Sequence, residues 1–391
     1  MTTPSSPLLS HVPGASATNE DKTYPVAWHY GNPLGEQNAV EDGATGIIDR
    51  FDRVALWVHG EEAKTWLNDL ISQKINAIQP GQATFGLILD VQGHVEYQFG
   101  VAALEDGILL DVAGDKAEGL ETYLSRMIFW AKVEIERLDL VQVAVLKKAD
   151  VQESTEGDRA GLGATPAGAF PDAHSWRTRR LGEIAVTDVW LPADAQIGSW
   201  DHATSELGYV PTGLMAYTAW RIAARQPVVG EDTDEKTIPH EVPWYLGANA
   251  HGATQLAQES EGPTEHAVHL HKGCYRGQET VSRVQNLGKP PRTLVLLHLD
   301  GSRNALPEVG TDLTAGGRRI GRVGSSVHDA TLGPIALALV RRNVVEKLAT
   351  NPAAVPALQA GKVDAAIDPA DVKVDDAEKP GRAAIKNLRN G

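Results

Sequence analysis

Apolar and polar positions along this chain mostly follow short strand-like runs, and helical spacing takes over in a few stretches. Arg53 to Val58 is a short, largely apolar, β-favouring run, as a mostly buried strand requires, and His59-Gly60 breaks it. From Glu61 to Ile71 the apolar residues Ala63, Trp66, Leu67, Leu70 and Ile71 share one helical face. Pro80-Gly81 marks a turn, and Thr84 to Leu89 reads as a strand ending in the hairpin turn Asp90-Val91-Gln92-Gly93. His94 to Val101 and Ile108 to Val112 are further strands. Lys116 to Met127 is a helix with Leu120, Tyr123, Leu124 and Met127 aligned, and Ala131 to Leu138 is another strand. The order β-α-β-β-β-α-β implies an α+β plan with a mixed or antiparallel sheet, not the strict alternation of a dinucleotide-binding fold.

The pattern then begins again. Leu140 to Leu146 opens a second, similar half, and Gly157 to Ala173, dense in Gly, Ala and Pro, reads as a loop or insertion. Glu183 to Leu191 is a strand. Pro211 is expected to open a helix reaching about Arg225, since proline suits a first helical turn. His240-Glu241, after Pro239, reads as part of a turn. Gly247 to Gly262 is poor in hydrophobic residues and is expected to be a mobile insertion. After Pro290-Pro291, Thr293–Leu299, Ile320–Ser325, Gly333–Val340 and Val363–Val372 are short strands between Gly-rich turns, the pattern of a small β-barrel. The expected organisation is therefore a disordered tail (1–26), a first α+β half (27–138), a second (139–291) with the insertion at 247–262, a barrel (292–374) and a charged tail (375–391).

Composition narrows the class. With 391 residues, 42% hydrophobic and 22% charged, the chain is long enough for two or three ordinary globular domains. The segment Met1 to Pro7 has neither a basic nor an apolar stretch, so it is not a signal peptide, and no apolar run is long enough to span a bilayer. A cytoplasmic location is expected. A net charge of −15 disfavours nonspecific nucleic-acid binding by the surface as a whole. The charge is uneven, however. Lys272 to Arg322 carries nine Lys and Arg against four Asp and Glu, which suits a modest anionic ligand or, as a weaker reading, tRNA.

That basic segment contains the only cysteine, in His271-Lys272-Gly273-Cys274-Tyr275-Arg276-Gly277-Gln278-Glu279-Thr280-Val281. A single cysteine excludes an intrachain disulfide and a multi-cysteine zinc site. Two glycines flank it, and Lys272 and Arg276 stand two residues either side of it. Nearby cations favour thiolate, the nucleophilic form, so Cys274 is a candidate functional thiol. The alternative is a small buried hydrophobe. Gln278 and Glu279 add an amide and a carboxylate, and Thr280-Val281 is expected to start a β-favouring run. His266, His269, His271 and Cys274 have spacings compatible with a metal, but strand alternation would split them, so no metal is assigned. No G-x-S-x-G, H-E-x-x-H, Walker A or dinucleotide fingerprint occurs.

The segment Lys272, Gly273, Cys274, Tyr275, Gly277, Gln278 and Glu279 resembles K-G-C-Y-x-G-Q-E, the signature of the YgfZ family, at all seven specified positions, and Arg283 also fits. These proteins are folate-binding relatives of the glycine-cleavage T-protein. The resemblance spans roughly Ala27 to Val372. It implies two ferredoxin-like halves around a central folate opening plus a C-terminal β-barrel. Tetrahydrofolate or a derivative would be the cofactor. Iron–sulfur proteins or their assembly factors would be the partners, with a link to iron–sulfur-dependent tRNA modification.

By that resemblance Cys274 takes the functional position, with Lys272, Arg276, Gln278 and Glu279 around it. Trp220, Arg221, Tyr275 and Gln98 are the expected folate contacts. An arginine fork suits the glutamate tail, and an aromatic ring suits the pterin. Two departures weigh against the alternative, an aminomethyltransferase. Where the T-protein carries an aspartate pair, the best register places Tyr97 and Gln98, although a shift of one would bring in Glu96. Where it has a glutamate after the helix arginine, Ala223 stands.

Overall fold

The computed structural model describes residues 5–17, 25–149, 158–163, 165, 168–247, 264, 266–303 and 305–373. The expected insertion 247–262 lies outside these apart from Gly247, as do the tail after 373 and residue 374 of the barrel segment. A helical turn, α1 (Leu8–His11), and β1 (Ser16–Ala17) come first, and β2 (Ala27–His29) pairs antiparallel with β1. Next are α2 (Pro33–Glu41), where the Asn32 side chain accepts from the N–H of Gly35, and β3 (Gly46–Asp49).

Five strands build the first sheet. They are β4 (Arg53–His59), β5 (Ala83–Leu89), β6 (Val95–Leu104), β7 (Gly107–Ala113) and β8 (Glu134–Arg137), in the antiparallel order β5-β6-β7-β4-β8. Helices α3 (Ala63–Leu70) and α4 (Gly114–Arg126) cover one face, where Leu67, Leu120 and Leu124 pack on Leu56 and Leu110. The second sheet takes β9 (Leu140–Lys148), β10 (Ala160–Leu162), β11 (Ser175–Leu181), β12 (Ile184–Pro192) and β13 (Val210–Pro211), and it recruits β3, in the order β10-β11-β12-β9-β3-β13. Helix α5 (Gln196–Asp201) follows, and α6 (Leu214–Ala223) packs Leu214, Tyr217 and Trp220 on this sheet.

The last helix before the barrel is α7 (Gln278–Asn286). Six strands then close a barrel: β14 (Arg292–Leu299), β15 (Asp312–Ala315), β16 (Arg318–Asp329), β17 (Gly333–Arg341), β18 (Leu358–Ala360) and β19 (Val363–Ile367). Helix α8 (Arg342–Thr350) lies between β17 and β18. No helix among the described residues is long and apolar enough to cross a membrane.

The expected α+β fold with a C-terminal barrel holds, and several local expectations do not. The N-terminal segment is partly ordered: Leu8 is fully buried against Val143, Phe170 and Val189, a burial that stabilises by about 2 kcal/mol. Residues 46–49 belong to the second sheet through β3, so the halves interleave in sequence. Pro211 sits in β13 and the helix starts three residues later at Leu214. Thr280-Val281 lies inside α7, not in a strand, because Gly277 takes φ 80° and turns the chain into that helix.

Strand β11 was not anticipated at all. Its inward positions are Ser175, Arg177, Arg179 and Leu181, so a buried strand carries arginines where apolar residues are the usual signal.

Candidate functional site

The signature segment forms a loop pinned at both shoulders, with the thiol between them. Lys272 is buried, and its Nζ donates to the backbone carbonyls of Asn68, Ile71 (2.7 Å) and Gln73 (3.0 Å) at the end of α3. A helix C-terminus leaves such carbonyls unpaired, and a lysine satisfies them well. Burial pushes this ammonium down to about 8, partly offset by Asp69. Lys272 therefore positions the loop, and its charge is committed to those carbonyls.

Tyr275 forms the other shoulder. It is buried among Phe85, Leu87, Leu89 and Val95 of the first sheet and Leu294 and Leu296 of the barrel, and burial holds its hydroxyl well above the ordinary range. Cys274, between these anchors, is exposed and free.

The rest of the signature is also held by contacts of its own. Arg276 pairs with Glu96 at 3.3 Å and lies over the Tyr123 ring at 5.6 Å. Gln278 Nε2 donates to the Lys272 carbonyl at 3.2 Å, and Glu279 is exposed in the first turn of α7. A Cβ on Gly277 would stand 2.7 Å from the Asp90 carbonyl oxygen, so the segment rests directly on the β5–β6 hairpin. The arrangement presents one exposed thiol from a loop pinned on both sides.

A separate cavity of about 500 Å³ opens between the two sheets and α6, and Cys274 is not part of its wall. Gln98 and Gly100 on β6, Arg177 and Arg179 on β11, and Tyr217 and Arg221 on α6 line it. A continuous chain of charge contacts forms its floor. Arg53 Nε donates to Asp111 at 2.7 Å, and Arg177 Nη2 donates to both Asp111 and Asp188 at 2.8 Å. Arg179 holds Asp188 with Nε (2.7 Å) and Nη2 (3.0 Å) and also donates to the Tyr217 hydroxyl at 3.0 Å. Arg50 also lies over the Tyr217 ring, at 4.4 Å, and holds Asp52 with two bonds.

Burial alone would raise the Asp188 carboxyl, but Arg179 and Arg177 outweigh it and hold it well below the usual range. Burial would likewise raise the Tyr217 hydroxyl, yet Arg179 and Arg50 bring it below its ordinary value.

The expected folate contacts divide between two places. Gln98 lines the central cavity; its Oε1 accepts from the Tyr245 hydroxyl at 2.9 Å, and its amide nitrogen has no partner among the described residues. Arg221 lines it too, but Nη1 is spent on Asp232 (2.7 Å) and the Gln226 carbonyl (3.0 Å), so it is no free carboxylate clamp. Trp220 points elsewhere, because successive helix residues diverge by about 100°. Its Nε1 donates to Glu41 at 2.8 Å, and it lines a second cavity of about 730 Å³ together with Trp244 and Ala223. Trp220 and Arg221 therefore do not form one clamp. Tyr275 lines neither cavity.

Most of the cations in the stretch 272–322 are held by partners of their own. Arg292 holds Asp234 and Glu241, Arg319 holds Asp312, Lys289 holds Glu346, and Arg322 donates to the Thr233 carbonyl. Glu241 is thereby structural as well. Among the cations that do line the central cavity are Arg177 and Arg179, which periodicity did not mark. Gly100 was the available signal: a Cβ there would lie 1.4 Å from Arg177 Nη1, and a glycine inside a strand marks such an approach.

Comparison with known proteins follows this geometry. Residues 292–374 match the family described as CAF17, C-terminal beta-barrel domain. The chain is 26% identical over 337 residues to an aminomethyltransferase of Streptomyces coelicolor, covering 80% of this chain and 82% of that one. It is 27% identical over 331 residues to the aminomethyltransferase of Streptomyces avermitilis, with the same coverage. The crystal structure of glycine cleavage system aminomethyltransferase T from Bartonella henselae superposes with a TM-score of 0.71 at 17% identity. That match covers 93% of this chain and 96% of that one.

Proposed function

We propose that this chain, a member of the glycine-cleavage T-protein superfamily with a CAF17-type C-terminal barrel, binds a reduced folate in its central cavity and supports iron–sulfur proteins through Cys274. The observation that carries this reading is the cavity itself. Its volume of about 500 Å³ suits a small organic ligand, and its position between the two halves matches the opening that the resemblance implies. The rims of Phe85, Phe99 and Tyr217 give the wall apolar surface against which a flat heterocycle can pack, and the Gln98 amide offers a donor to its edge. Those residues would hold the ring. A bound reduced folate supplies a one-carbon carrier. Cys274 stands outside the cavity on its pinned loop, where an iron–sulfur client or an assembly factor can reach it. The tRNA-modifying iron–sulfur enzymes are the client class the resemblance favours.

Calorimetric titration with tetrahydrofolate and 5-formyltetrahydrofolate tests the cavity. Wild type is expected to bind saturably. Gln98→Ala is expected to bind about tenfold more weakly, the loss of roughly one hydrogen bond, and Cys274→Ser to bind as wild type does. Absence of binding to either folate overturns the reading. For the thiol, full recovery of iron–sulfur enzyme activity by Cys274→Ser in a strain lacking the protein would remove Cys274 from the proposal.

Aminomethyl transfer, the activity in the names of the curated relatives, has less support here. Of the carboxylates in the cavity wall, Asp52 and Asp111 are bonded to arginines, Asp115 is paired with Lys116 and Glu231 receives the Ser325 hydroxyl, while Glu96, outside the wall, is paired with Arg276. A one-carbon product formed from an aminomethyl-lipoyl carrier by the folate-saturated protein would favour it.

A further inference from the structure

Strands β4 and β8 pair antiparallel at the rim of the first sheet, with His59 opposite Glu134 and Trp57 opposite Glu136. Residues two apart along a strand share a face, so Glu134 and Glu136 stand together on the face that carries His59. Nε2 of His59 is 3.4 Å from Oε1 of Glu136 and 4.0 Å from Oε2 of Glu134. One donor atom from each of the three residues lies within 4.8 Å of the other two. No other group of His, Cys, Asp and Glu converges in this way among the described residues.

The surroundings leave these donors open. Helices α3 and α4 pack on the other face of the sheet, through Val54, Leu56 and Val58. On the His59 face, the Trp57 ring lies beside the imidazole, with centroids 6.2 Å apart and planes at 24°. The His59, Glu134 and Glu136 side chains are 26%, 76% and 56% exposed, so an ion can reach all three. Two carboxylates with one imidazole carry an excess of negative charge in either form of the imidazole. The cations that adjoin them in sequence do not balance it. Lys132 is paired with Glu61 at 2.6 Å, and Arg137 alternates to the other face of β8. Glu134 and Glu136 have His59 as their one ion-pair partner among the described residues.

We infer that His59, Glu134 and Glu136 form a binding site for one divalent transition-metal ion. Two donors on a tetrahedral metal, each about 2.0–2.1 Å from it, stand about 3.4 Å from one another. The His59–Glu136 pair already has that spacing, and a turn of the exposed Glu134 side chain brings in the third donor. One imidazole nitrogen with two carboxylate oxygens suits zinc, nickel or cobalt, whereas magnesium and calcium prefer oxygen alone. A dication also cancels the two carboxylate charges. Three protein ligands leave a position for water or for a donor from another molecule. The bound ion ties the edge strand β8 to β4. The inference goes beyond the folate reading and rests neither on it nor on Cys274.

The test uses the full chain without a histidine tag. Zinc chloride and magnesium chloride are titrated separately, and calorimetry and melting temperature are followed. Wild type is expected to bind zinc saturably at one ion per chain, with a rise of a few degrees in melting temperature, and to give no response to magnesium at the same concentration. His59→Gln and the double variant Glu134→Gln/Glu136→Gln lie at solvent-accessible positions. Both are expected to fold as wild type does and to bind zinc more weakly by about tenfold or more. Cys274→Ser is expected to bind zinc as wild type does, which separates this site from metal capture by the thiol. Absence of saturable zinc binding overturns the inference. Zinc binding that either ligand variant leaves unchanged overturns it as well, as does binding that Cys274→Ser abolishes or a magnesium response equal to that for zinc.

Discussion

Replacing Arg179 with Met is expected to lower the stability of the fold by about 3–5 kcal/mol, the usual cost of leaving one partner of a buried charge pair alone. Asp188 is fully buried and accepts three bonds from Arg179 and Arg177, while the Tyr217 hydroxyl depends on Arg179 for its donor. The methionine fills much of the same volume, so a lost charge partner, not a cavity, dominates the effect. Adding Asp188→Leu removes the stranded carboxylate and leaves Arg177 with Asp111. The double variant is therefore expected to be less destabilised than the sum of the two single variants, since contacting residues do not add. Urea denaturation of the four proteins measures this. Strict additivity would mean that Arg179 and Asp188 do not act as a pair.

The second large effect concerns Asp49, on the neighbouring strand β3. This carboxyl is almost fully buried; it accepts from the Phe51 N–H and Gln196 Nε2, is also bonded by the Ser6 side chain, and leaves Oδ2 without a partner. Burial pushes it up to about 7 from an ordinary value of 3.8. The folded state thus holds a proton that the unfolded state has released between these values. That contribution to stability is present in full below about pH 4 and is lost as pH rises through 7. At about 1.4 kcal/mol per unit, the loss is on the order of 4 kcal/mol. Asp49→Asn, which needs no proton, is expected to match wild type within about 1 kcal/mol at pH 4. It is expected to exceed wild type by several kcal/mol at pH 8. Stability curves that stay parallel from pH 4 to 8 would show that Asp49 ionises freely in the fold. Because Ser6 bonds this carboxyl and Leu8 is buried nearby, the N-terminal segment is expected to loosen over the same pH range.

Much of the architecture was legible because its elements follow local rules. Arg53–His59 and Ala83–Leu89 are apolar runs bounded by turn residues, and Gly114–Arg126 carries its leucines on one face. Four of the six barrel strands announce themselves by the Gly-rich turns between them, whereas the short β15 and β18 are not marked by periodicity. What could not be read depends on distant partners. The short strand Gly46–Asp49 joins the second sheet because Leu140–Lys148 and Val210–Pro211 receive it, pairings across roughly a hundred residues or more that no local pattern encodes. Leu8 looks like part of a polar tail until the pocket of Val143 and Val189 is in place.

The site divides along the same line. Cys274 and Gln98 stood out from the signature and the register, and the fold places them on an exposed loop and in the cavity wall respectively. Arg177 and Arg179 were not, since Ser-Trp-Arg-Thr-Arg-Arg-Leu has the polarity of a surface strand. Only the carboxylates of Asp111 and Asp188 make those arginines compatible with an interior position. Lys272 shows the opposite error. Its closeness in sequence to Cys274 suggested an electrostatic partner, whereas three carbonyls at the end of α3 claim it.

A crystal structure of the protein soaked with 5-formyltetrahydrofolate tests the central claim most directly. The expected result is ligand density between Gln98, Phe99 and Tyr217, with Cys274 outside the ligand's reach. Density beside Trp220 and Trp244 would place the site in the second cavity and contradict the assignment.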